Sequence, residues 1–334
     1  MSKPQVLVVG PLAWAHRDFE DIVGPHAEII YMESKSREEA FKDWSPSGRY
    51  GKVKAIFLEP GAKGTIGALD AEFINALPES CGWIGYKGAG YDGVDVQACK
   101  KRGIGFSNTP GAVDEGTATT ALYLIIGAIR QFYLCEKHLR NGGFGLDKSV
   151  VQAKTHDLSG KTVGILGMGS IGSQLVEYLR PFGVKLLYHN RNPSPTAAKD
   201  VTYVKDLDEF LKQLDVLSIH MPLNANTKHF MGDKELRTMK KGSILVNTAR
   251  GGVIDQKALI KVLQDGHLGA AGLDVFEEEP KVPAELIAMD NVSLLPHVGT
   301  ENQDARRKME VVAITNIRDF LTKGKGEQLV PELK

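Results

Sequence analysis

Short apolar segments alternate with longer amphipathic segments along almost the whole chain, and this order restricts the fold more than any other feature. Runs of four or five apolar residues are typical of buried strands, and the segments between them have helical spacing. Strands that alternate with helices form parallel βαβ units, so the sequence predicts an α/β fold. The predicted strands are Gln5–Val9, Ala27–Tyr31, Ala55–Leu58, Trp83–Tyr86, Ile104–Ser107, Thr162–Leu166, Lys185–Tyr188, Val216–Ile219, Ser243–Asn247, Gly272–Val275 and Val292–Leu295.

Two long segments indicate how the chain is organised into domains. Residues 112–140 are rich in Ala, Leu and Ile and lack proline, which predicts one long helix that crosses between domains or packs against a second subunit. Residues 301–321 have a helical period after the last predicted strand, so we expect them to return to the first domain. A length of 334 residues suits two domains, with hinges near Asn108–Gly111 and Val298–Asn302.

The charge balance argues against a strongly charged partner. Lys and Arg total 41, and so do Asp and Glu, which gives a formal net charge of zero. Without an overall basic field we expect no nucleic-acid and no membrane partner. An anionic ligand must therefore be held by a specific pocket.

The cysteines favour a reducing compartment. Cys81, Cys99 and Cys135 are an odd number of thiols without a CxxC spacing, which fits neither a disulfide framework nor a zinc site. We accordingly expect no metal. Met1–Gly10 enters a strand without the pattern of a signal peptide, and no run of 18 apolar residues occurs, so a cytoplasmic location is expected.

A glycine-rich turn in mid-chain separates a predicted strand from a predicted helix. Thr162–Leu166 runs into the motif GMGSIG of residues 167–172, and a helical segment follows to Arg180. A lone GxGxxG is a weak signal, but between a strand and a helix it predicts a dinucleotide site.

Each glycine of this turn has a physical task in such a site. Gly167 permits the tight turn, Gly169 lets the backbone approach a pyrophosphate, and Gly172 lets the helix pack closely on the strand. The amides at the start of the helix, at Ser170 and Ile171, would bind the negative charge.

The next strand ends without an acidic residue. NAD-selective sites carry an Asp or Glu here that accepts bonds from the ribose hydroxyls, and Asn190 stands about where that acid is expected. Arg191 follows it and could bind a 2′-phosphate through two N–H donors. We therefore predict NADPH as the preferred cofactor, with NADH as the lesser one. The alternative is that Arg191 is a solvated loop charge.

Three further predicted strands are followed by residues that could do chemistry. Arg250 lies just past one strand, Glu279 precedes a proline after the next, and His297 lies between a proline and a glycine after the last. Open α/β sheets bind ligands at the carboxyl ends of their strands. An isolated histidine is more often structural, but three such residues at successive strand ends beside a dinucleotide site predict a catalytic constellation.

The ordered motifs resemble the D-isomer-specific 2-hydroxyacid dehydrogenases, in particular the glyoxylate/hydroxypyruvate reductase-like members. The resemblance rests on the mid-chain GxGxxG and on the segments NTARG, GLDVFEEEP and LPHVG. It implies a Rossmann dinucleotide-binding domain, residues 109–299, inserted in a flavodoxin-like substrate domain made of residues 1–108 and 300–334. It also implies a homodimer, with the helix after Asn108 at the interface.

The resemblance assigns a role to each residue of the constellation. Arg250 matches the arginine that binds the substrate carboxylate and polarises the keto oxygen, and His297 matches the general acid. Glu279 matches the carboxylate that orients the imidazole, and such a neighbour favours the protonated form of a histidine. Glu277 and Glu278 are expected to be solvated.

The resemblance also places substrate and cofactor contacts elsewhere in the chain. The amides of Ala89 and Gly90 would bind the substrate carboxylate, although an ordinary glycine-rich turn would have the same composition. Asp274 matches the residue that binds the nicotinamide carboxamide. The remaining implied cofactor contacts are Thr117, Pro222, Thr227, Thr248, His297 and Gly299.

Together these features predict an NADPH-preferring reductase of small 2-oxo acids, of the glyoxylate/hydroxypyruvate type, that yields D-2-hydroxy acids. The alternative among enzymes is an NAD-linked dehydrogenase of a larger substrate such as mandelate. The alternative from another class is a dinucleotide-sensing corepressor-like protein, which could keep the same acid–base residues. The complete set of Arg250, Glu279 and His297 favours the enzyme.

Overall fold

The computed structural model describes residues 3–144 and 148–334 and divides the chain into two compact units. The terminal unit consists of the chain up to Val113 together with Asn302–Lys334, and the central unit is Asp114–Glu301. Each has a parallel sheet with connecting helices, which confirms the predicted α/β class.

The strands within the described residues are β1 (Gln5–Val9), β2 (Glu28–Tyr31), β3 (Val53–Leu58), β4 (Trp83–Tyr86), β5 (Gly105–Ser107), β6 (Thr162–Leu166), β7 (Lys185–His189), β8 (Thr202–Tyr203), β9 (Val216–Ile219), β10 (Ile244–Asn247), β11 (Ala270–Leu273) and β12 (Val292–Leu294). The α-helices are α1 (His16–Ile22), α2 (Arg37–Trp44), α3 (Lys63–Ile66), α4 (Ala71–Ala76), α5 (Val96–Arg102), α6 (Asp114–Arg130), α7 (Phe132–Arg140), α8 (Lys148–Gln152), α9 (Ser170–Leu179), α10 (Leu207–Leu211), α11 (Asp233–Thr238), α12 (Gln256–Gln264), α13 (Ala284–Ala288) and α14 (Gln303–Lys323). Short 3-10 turns occur at Pro60–Ala62, Arg180–Phe182, Gly251–Val253 and Pro331–Leu333.

The terminal unit has the strand order β2-β1-β3-β4-β5 with every pair parallel, which is the flavodoxin-like order. Aspartates start two of its helices: Asp70 accepts a hydrogen bond from the Phe73 amide and Asp95 from the Ala98 amide. Such side chains satisfy amides that have no partner within the helix.

The C-terminal helix α14 belongs to the terminal unit and lies against β4. Gly85 of β4 permits this packing, because a Cβ there would lie 2.8 Å from Ile317 Cγ1 and 2.9 Å from the Ala313 carbonyl oxygen. The chain therefore returns to its first domain, as the helical period of residues 301–321 predicts.

The central unit has the strand order β12-β11-β10-β9-β6-β7-β8, again parallel throughout. The chain builds outward from β6 to β8 and then returns to build from β9 to β12 on the other side. This is the doubly wound Rossmann arrangement, whose ligand crevice lies at the carboxyl ends beside the reversal point. The short edge strand β8 is absent from the sequence prediction.

The prediction of a single helix over residues 112–140 is wrong. Gln131 has the left-handed φ of 53°, and α6 and α7 meet there at 76°. A left-handed residue cannot continue the helical hydrogen-bond ladder. Gln131 is neither glycine nor proline, so composition gave no sign of the break.

Helix α6 is buried against the central sheet, where Gly272 of β11 lets it approach closely: a Cβ there would lie 2.8 Å from Leu124 Cβ. Among the described residues, the chain contains no single helix with the length and apolar composition of a membrane span. The bent pair of α6 and α7 meets those two criteria only when taken together.

Candidate active site

Arg250 is held at the carboxyl end of β10 by the residue that ends the strand. Asn247 is fully buried, and its Nδ2 donates to the Arg250 carbonyl oxygen at 2.9 Å while its Oδ1 accepts from the Ala249 amide at 3.0 Å. Gly251 allows close passage of the next loop, because any Cβ there would collide with the Phe276 backbone. The Arg250 loop is thereby fixed against the segment that leads to Glu279.

Glu279 and His297 form a direct hydrogen bond. Glu279 Oε2 lies 2.7 Å from His297 Nδ1, and the other carboxylate oxygen accepts the Phe276 amide at 2.9 Å. The peptide bond between Glu279 and Pro280 is cis. The side chains of His297 and Glu279 are 46% and 34% exposed, so the imidazole remains accessible while its Nδ1 is engaged.

Asp274, just past β11, fixes the loop that carries His297. Its buried carboxylate accepts the Val298 amide at 2.8 Å and the Gly299 amide at 2.9 Å, and its carbonyl oxygen accepts the His297 amide at 2.8 Å. His297 itself has a positive φ of 55°. Non-glycine residues in this region are strained and persist where the surroundings impose them.

The charges around His297 favour its protonated form. The hydrogen bond and charge of Glu279 raise the pKa of His297, and they outweigh burial and the nearby positive charge of Arg250, which both lower it. Burial raises the pKa of Glu279, but the hydrogen bonds from His297 and the Phe276 amide and the charge of Arg250 bring it below its ordinary value. Both shifts favour the imidazolium–carboxylate pair over the neutral pair.

The expectation that Glu277 is solvated is wrong, whereas Glu278 is exposed as predicted. Glu277 Oε1 lies 2.6 Å from His229 Nε2, and its side chain is only 27% exposed. This pair joins the loop after β9 to the loop that carries Glu279. His229 comes from a remote part of the chain, so no local pattern could predict the contact.

The glycine-rich turn has the geometry that a dinucleotide site needs. Gly167 has φ 102°, and a Cβ there would lie 2.9 Å from the backbone of His220. Gly169 is the N-cap residue of α9, and among the described residues no heavy atom beyond its chain neighbours lies within 4 Å of the position that a Cβ would take there. A Cβ on Gly172 would lie 2.6 Å from the Gly167 carbonyl oxygen, so only glycine permits this turn against the helix.

Asn190 and Arg191, at the end of β7, have different environments. Asn190 Oδ1 accepts the Met168 amide at 2.7 Å, so this side chain holds the glycine-rich turn. Arg191 is exposed. The position that carries an acid in NAD-selective sites is thus occupied by an amide, with an exposed guanidinium next to it.

Four of the other predicted cofactor residues fall into two groups within the central unit. Thr117 and Gly299 lie beside Asp274: a Cβ on Gly299 would be 3.1 Å from Asp274 Oδ2 and 3.6 Å from Thr117 Oγ1. Thr227 Oγ1 donates to the Pro222 carbonyl oxygen at 2.6 Å and thus organises its own loop.

Ala89 and Gly90 belong to the terminal unit, on the loop that follows β4. Asn108 Nδ2 donates to the Ala89 carbonyl oxygen at 2.7 Å, and the Thr109 amide donates to the Gly88 carbonyl oxygen at 3.0 Å. Ala89 is half-buried and Gly90 is exposed. The loop is held by its carbonyl groups.

The comparison with family models decides the relationship. Residues 122–299 match the NAD-binding domain of the D-isomer specific 2-hydroxyacid dehydrogenases. The chain belongs to this family. It is an NAD(P)-dependent oxidoreductase of 2-hydroxy acids, with the Rossmann domain that the sequence predicted.

Full-length relatives agree with this assignment. The dehydrogenase is 40% identical to 4-methyl-2-oxopentanoate reductase A of Aspergillus oryzae over 99% of both chains. It is 39% identical in sequence to a glyoxylate reductase from Paecilomyes thermophila. The crystal structure of that protein matches with a TM-score of 0.91 over 100% of both chains. An NADPH-dependent glyoxylate/hydroxypyruvate reductase from Sinorhizobium meliloti, solved with NADP and malonate, is 30% identical with a TM-score of 0.81 over 99% of this chain and 98% of that one.

The dehydrogenase offers features that suit a nicotinamide dinucleotide. The open backbone at Gly169 leaves room for a pyrophosphate at the start of α9. Thr248 Oγ1, one residue past β10, is buried and lacks a hydrogen-bond partner among the described residues. Buried hydroxyls are normally paired, so this atom can serve a ligand.

Asn247, Gly251 and His229 contribute to the site and are missing from the sequence prediction. Asn247 and Gly251 lie within or beside the NTARG segment, so their proximity to Arg250 was a usable signal. This signal was the polar Asn247 at the end of an otherwise apolar strand, with Gly251 just after the arginine.

Replacement of Glu279 by Gln is expected to lower the pKa of His297, because the amide keeps the shape and loses the charge that stabilises the imidazolium. The pKa can be followed by NMR of histidine-labelled protein, with His297→Gln to assign the resonance. Glu278→Gln, which changes an exposed neighbour, is the matched control and should leave the pKa of His297 in place. If His297 had the same pKa in the wild type and in Glu279→Gln, the assigned pairing would be contradicted.

Proposed function

We propose that the dehydrogenase works as an NADPH-preferring reductase of small 2-oxo acids, of the glyoxylate/hydroxypyruvate type, and yields D-2-hydroxy acids. The observation that carries this proposal is the hydrogen-bonded pair of Glu279 and His297 with the charge of Arg250 acting on both. It supplies a protonated acid and a fixed cation, the two groups that reduction of a 2-oxo acid needs.

Each side chain has a defined part in the reaction. Arg250 binds the carboxylate of the 2-oxo acid and polarises its keto oxygen, since a guanidinium presents paired N–H donors. When bound, the nicotinamide supplies the hydride that reduces C2. His297 gives the proton on Nε2 to the developing alkoxide, and Glu279 holds the imidazole through Nδ1.

The proton and charge balance also explains why a carboxylate stands beside His297. After the transfer His297 is neutral, and its Nδ1–H still donates to the Glu279 carboxylate. Solvent then returns a proton to Nε2, because the raised pKa favours the imidazolium. The same pair in the neutral state would act as a base in the reverse direction.

Enzyme assays with NADPH and a panel of 2-oxo acids test this function. Wild-type protein should oxidise NADPH with glyoxylate or hydroxypyruvate, and His297→Ala should lower kcat about 10²- to 10⁴-fold, the usual contribution of a general acid. The Kd for NADPH, measured by fluorescence, should stay within a few-fold of wild type. Comparable losses in kcat and cofactor binding would contradict the role of His297. Absence of turnover with every 2-oxo acid and with both cofactors would overturn the reductase.

The preference for NADPH is supported by the end of β7. Asn190 and the exposed Arg191 occupy the place of the ribose-binding acid, so no carboxylate there repels a 2′-phosphate. The similar protein from Sinorhizobium meliloti is named as NADPH-dependent.

Arg191→Ala is expected to raise the Kd for NADPH about tenfold and to leave the Kd for NADH within twofold, because only NADPH carries the phosphate. Fluorescence titration with each cofactor measures this. Arg307→Ala, which removes an exposed arginine of α14 in the terminal unit, is the control. An unchanged ratio of the two Kd values would refute the phosphate site.

A homodimer is the second part of the proposal. None of the residues of α7 is buried in the chain, yet Phe132 and Leu139 are 47% and 55% exposed on it. An exposed apolar helix face is typical of a protein interface, and a second copy of the chain is the partner that the family resemblance favours. The location proposed for the enzyme is the cytoplasm, which agrees with its three free thiols.

The double variant Phe132→Glu/Leu139→Glu is expected to sediment as a monomer where wild type sediments as a dimer, because the new charges would be desolvated at the interface. Ile287→Glu, at another exposed apolar position of the central unit, should remain dimeric. A monomeric wild type, or a double variant that stays dimeric, would contradict the interface.

A further inference from the structure

A buried lysine directly precedes the proposed substrate loop of the terminal unit. Lys87 follows β4, its side chain is 2% exposed, and Gly88–Gly90 come next in the chain. Its Nζ lies 3.0 Å from Glu310 Oε1 and 3.7 Å from Glu59 Oε1. Buried lysines are rare and need partners, and Lys87 has two carboxylates.

Glu310 connects this lysine to a second loop. The carboxylate, on α14, is fully buried and accepts the amides of Ala13, Trp14 and Ala15 at 3.1, 2.9 and 2.8 Å. Burial raises the pKa of Glu310, but the hydrogen bond from Lys87 and those amides bring it below the ordinary value. Glu310 therefore stays ionised and holds the loop after β1.

Glu59 adds the loop after β3 to the same cluster. Its Oε2 accepts the Gly61 amide at 2.5 Å, and its Oε1 lies 3.8 Å from Arg306 Nη2. The two cations Lys87 and Arg306 balance the two carboxylates. The network thus ties together the loops that follow β1, β3 and β4.

These loops leave the carboxyl edge of a parallel sheet, which is the edge where α/β proteins bind ligands. A buried ion pair is often no more stabilising than an apolar pair of similar volume, so stability alone explains the network poorly. Fixed geometry at a binding edge explains it better. Lys87 is itself too deeply buried to meet a substrate.

We propose that Lys87 is a positioning residue: through Glu310 and Glu59 it holds the Gly88–Gly90 loop in register with the Ala13–Ala15 loop, and so sets the affinity for the carboxylate of the 2-oxo acid. The inference rests on the proposed function, since it takes Ala89 and Gly90 as the amides that bind this carboxylate. Asn108 holds the far side of the same loop through the Ala89 carbonyl oxygen.

The test uses the double variant Lys87→Met/Glu310→Gln, which removes both charges of the pair and so leaves neither charge unpaired. Lys87→Arg is the conservative variant. Lys52→Met, at an exposed lysine of the same unit, is the control. For the double variant we expect KM for the 2-oxo acid to rise at least tenfold, with kcat within threefold and the Kd for NADPH within twofold of wild type. Lys87→Arg should recover part of the loss, and Lys52→Met should match wild type.

Hydrogen exchange supplies a readout that is independent of turnover. Peptides that cover Gly88–Gly90 and Ala13–Ala15 should exchange at least tenfold faster in the double variant, while peptides of the central unit keep their rates. Wild-type KM and wild-type loop exchange in the folded double variant would overturn the inference, as would equal changes in KM and in the Kd for NADPH. A wild-type protein without any turnover would instead refute the proposed function, and the exchange rates would still decide whether Lys87 holds the loop.

Discussion

In the central sheet β10, β11 and β12 are parallel neighbours, so the segments that follow them leave the same edge of the sheet. The site depends on this constraint. Arg250, Glu279 and His297 are far apart in sequence, but each follows one of these strands. The parallel register places a cation, a carboxylate and an imidazole within reach of one another, and the reversal of strand order at β6 and β9 places the glycine-rich turn at the carboxyl edge of the same sheet.

Strand order alone does not orient the side chains, and buried polar groups complete that task. Asn247 fixes the backbone around Arg250, and Asp274 fixes the loop of His297 with both carboxylate oxygens. Gly251 removes the steric barrier between the Arg250 loop and the Phe276 segment. A buried amide or carboxylate is costly unless its hydrogen bonds are satisfied, so these residues tolerate only one arrangement of their loops.

Much of this arrangement was readable from the sequence, because it depends on local patterns. Apolar runs fixed most of the strands, and the polar residues just past them indicated Arg250, Glu279 and His297. Features that depend on one residue's backbone or on remote partners were not readable. The left-handed Gln131 broke a helix that composition favours, and His229 paired with a glutamate that looked solvated.

The network of Lys87, Glu59 and Glu310 was not readable from local patterns either, since its members come from three distant segments of the terminal unit.

We propose above that His297 and Arg250 act together on the keto group of a 2-oxo acid as hydride arrives at C2. The most direct measurement is product analysis after reaction of hydroxypyruvate, whose product is chiral at C2, with cofactor that carries deuterium at both C4 positions of the nicotinamide. The expected product is a D-2-hydroxy acid with deuterium at C2, and His297→Ala is expected to lose it. An L-2-hydroxy acid, or a D-product without deuterium at C2, would contradict it.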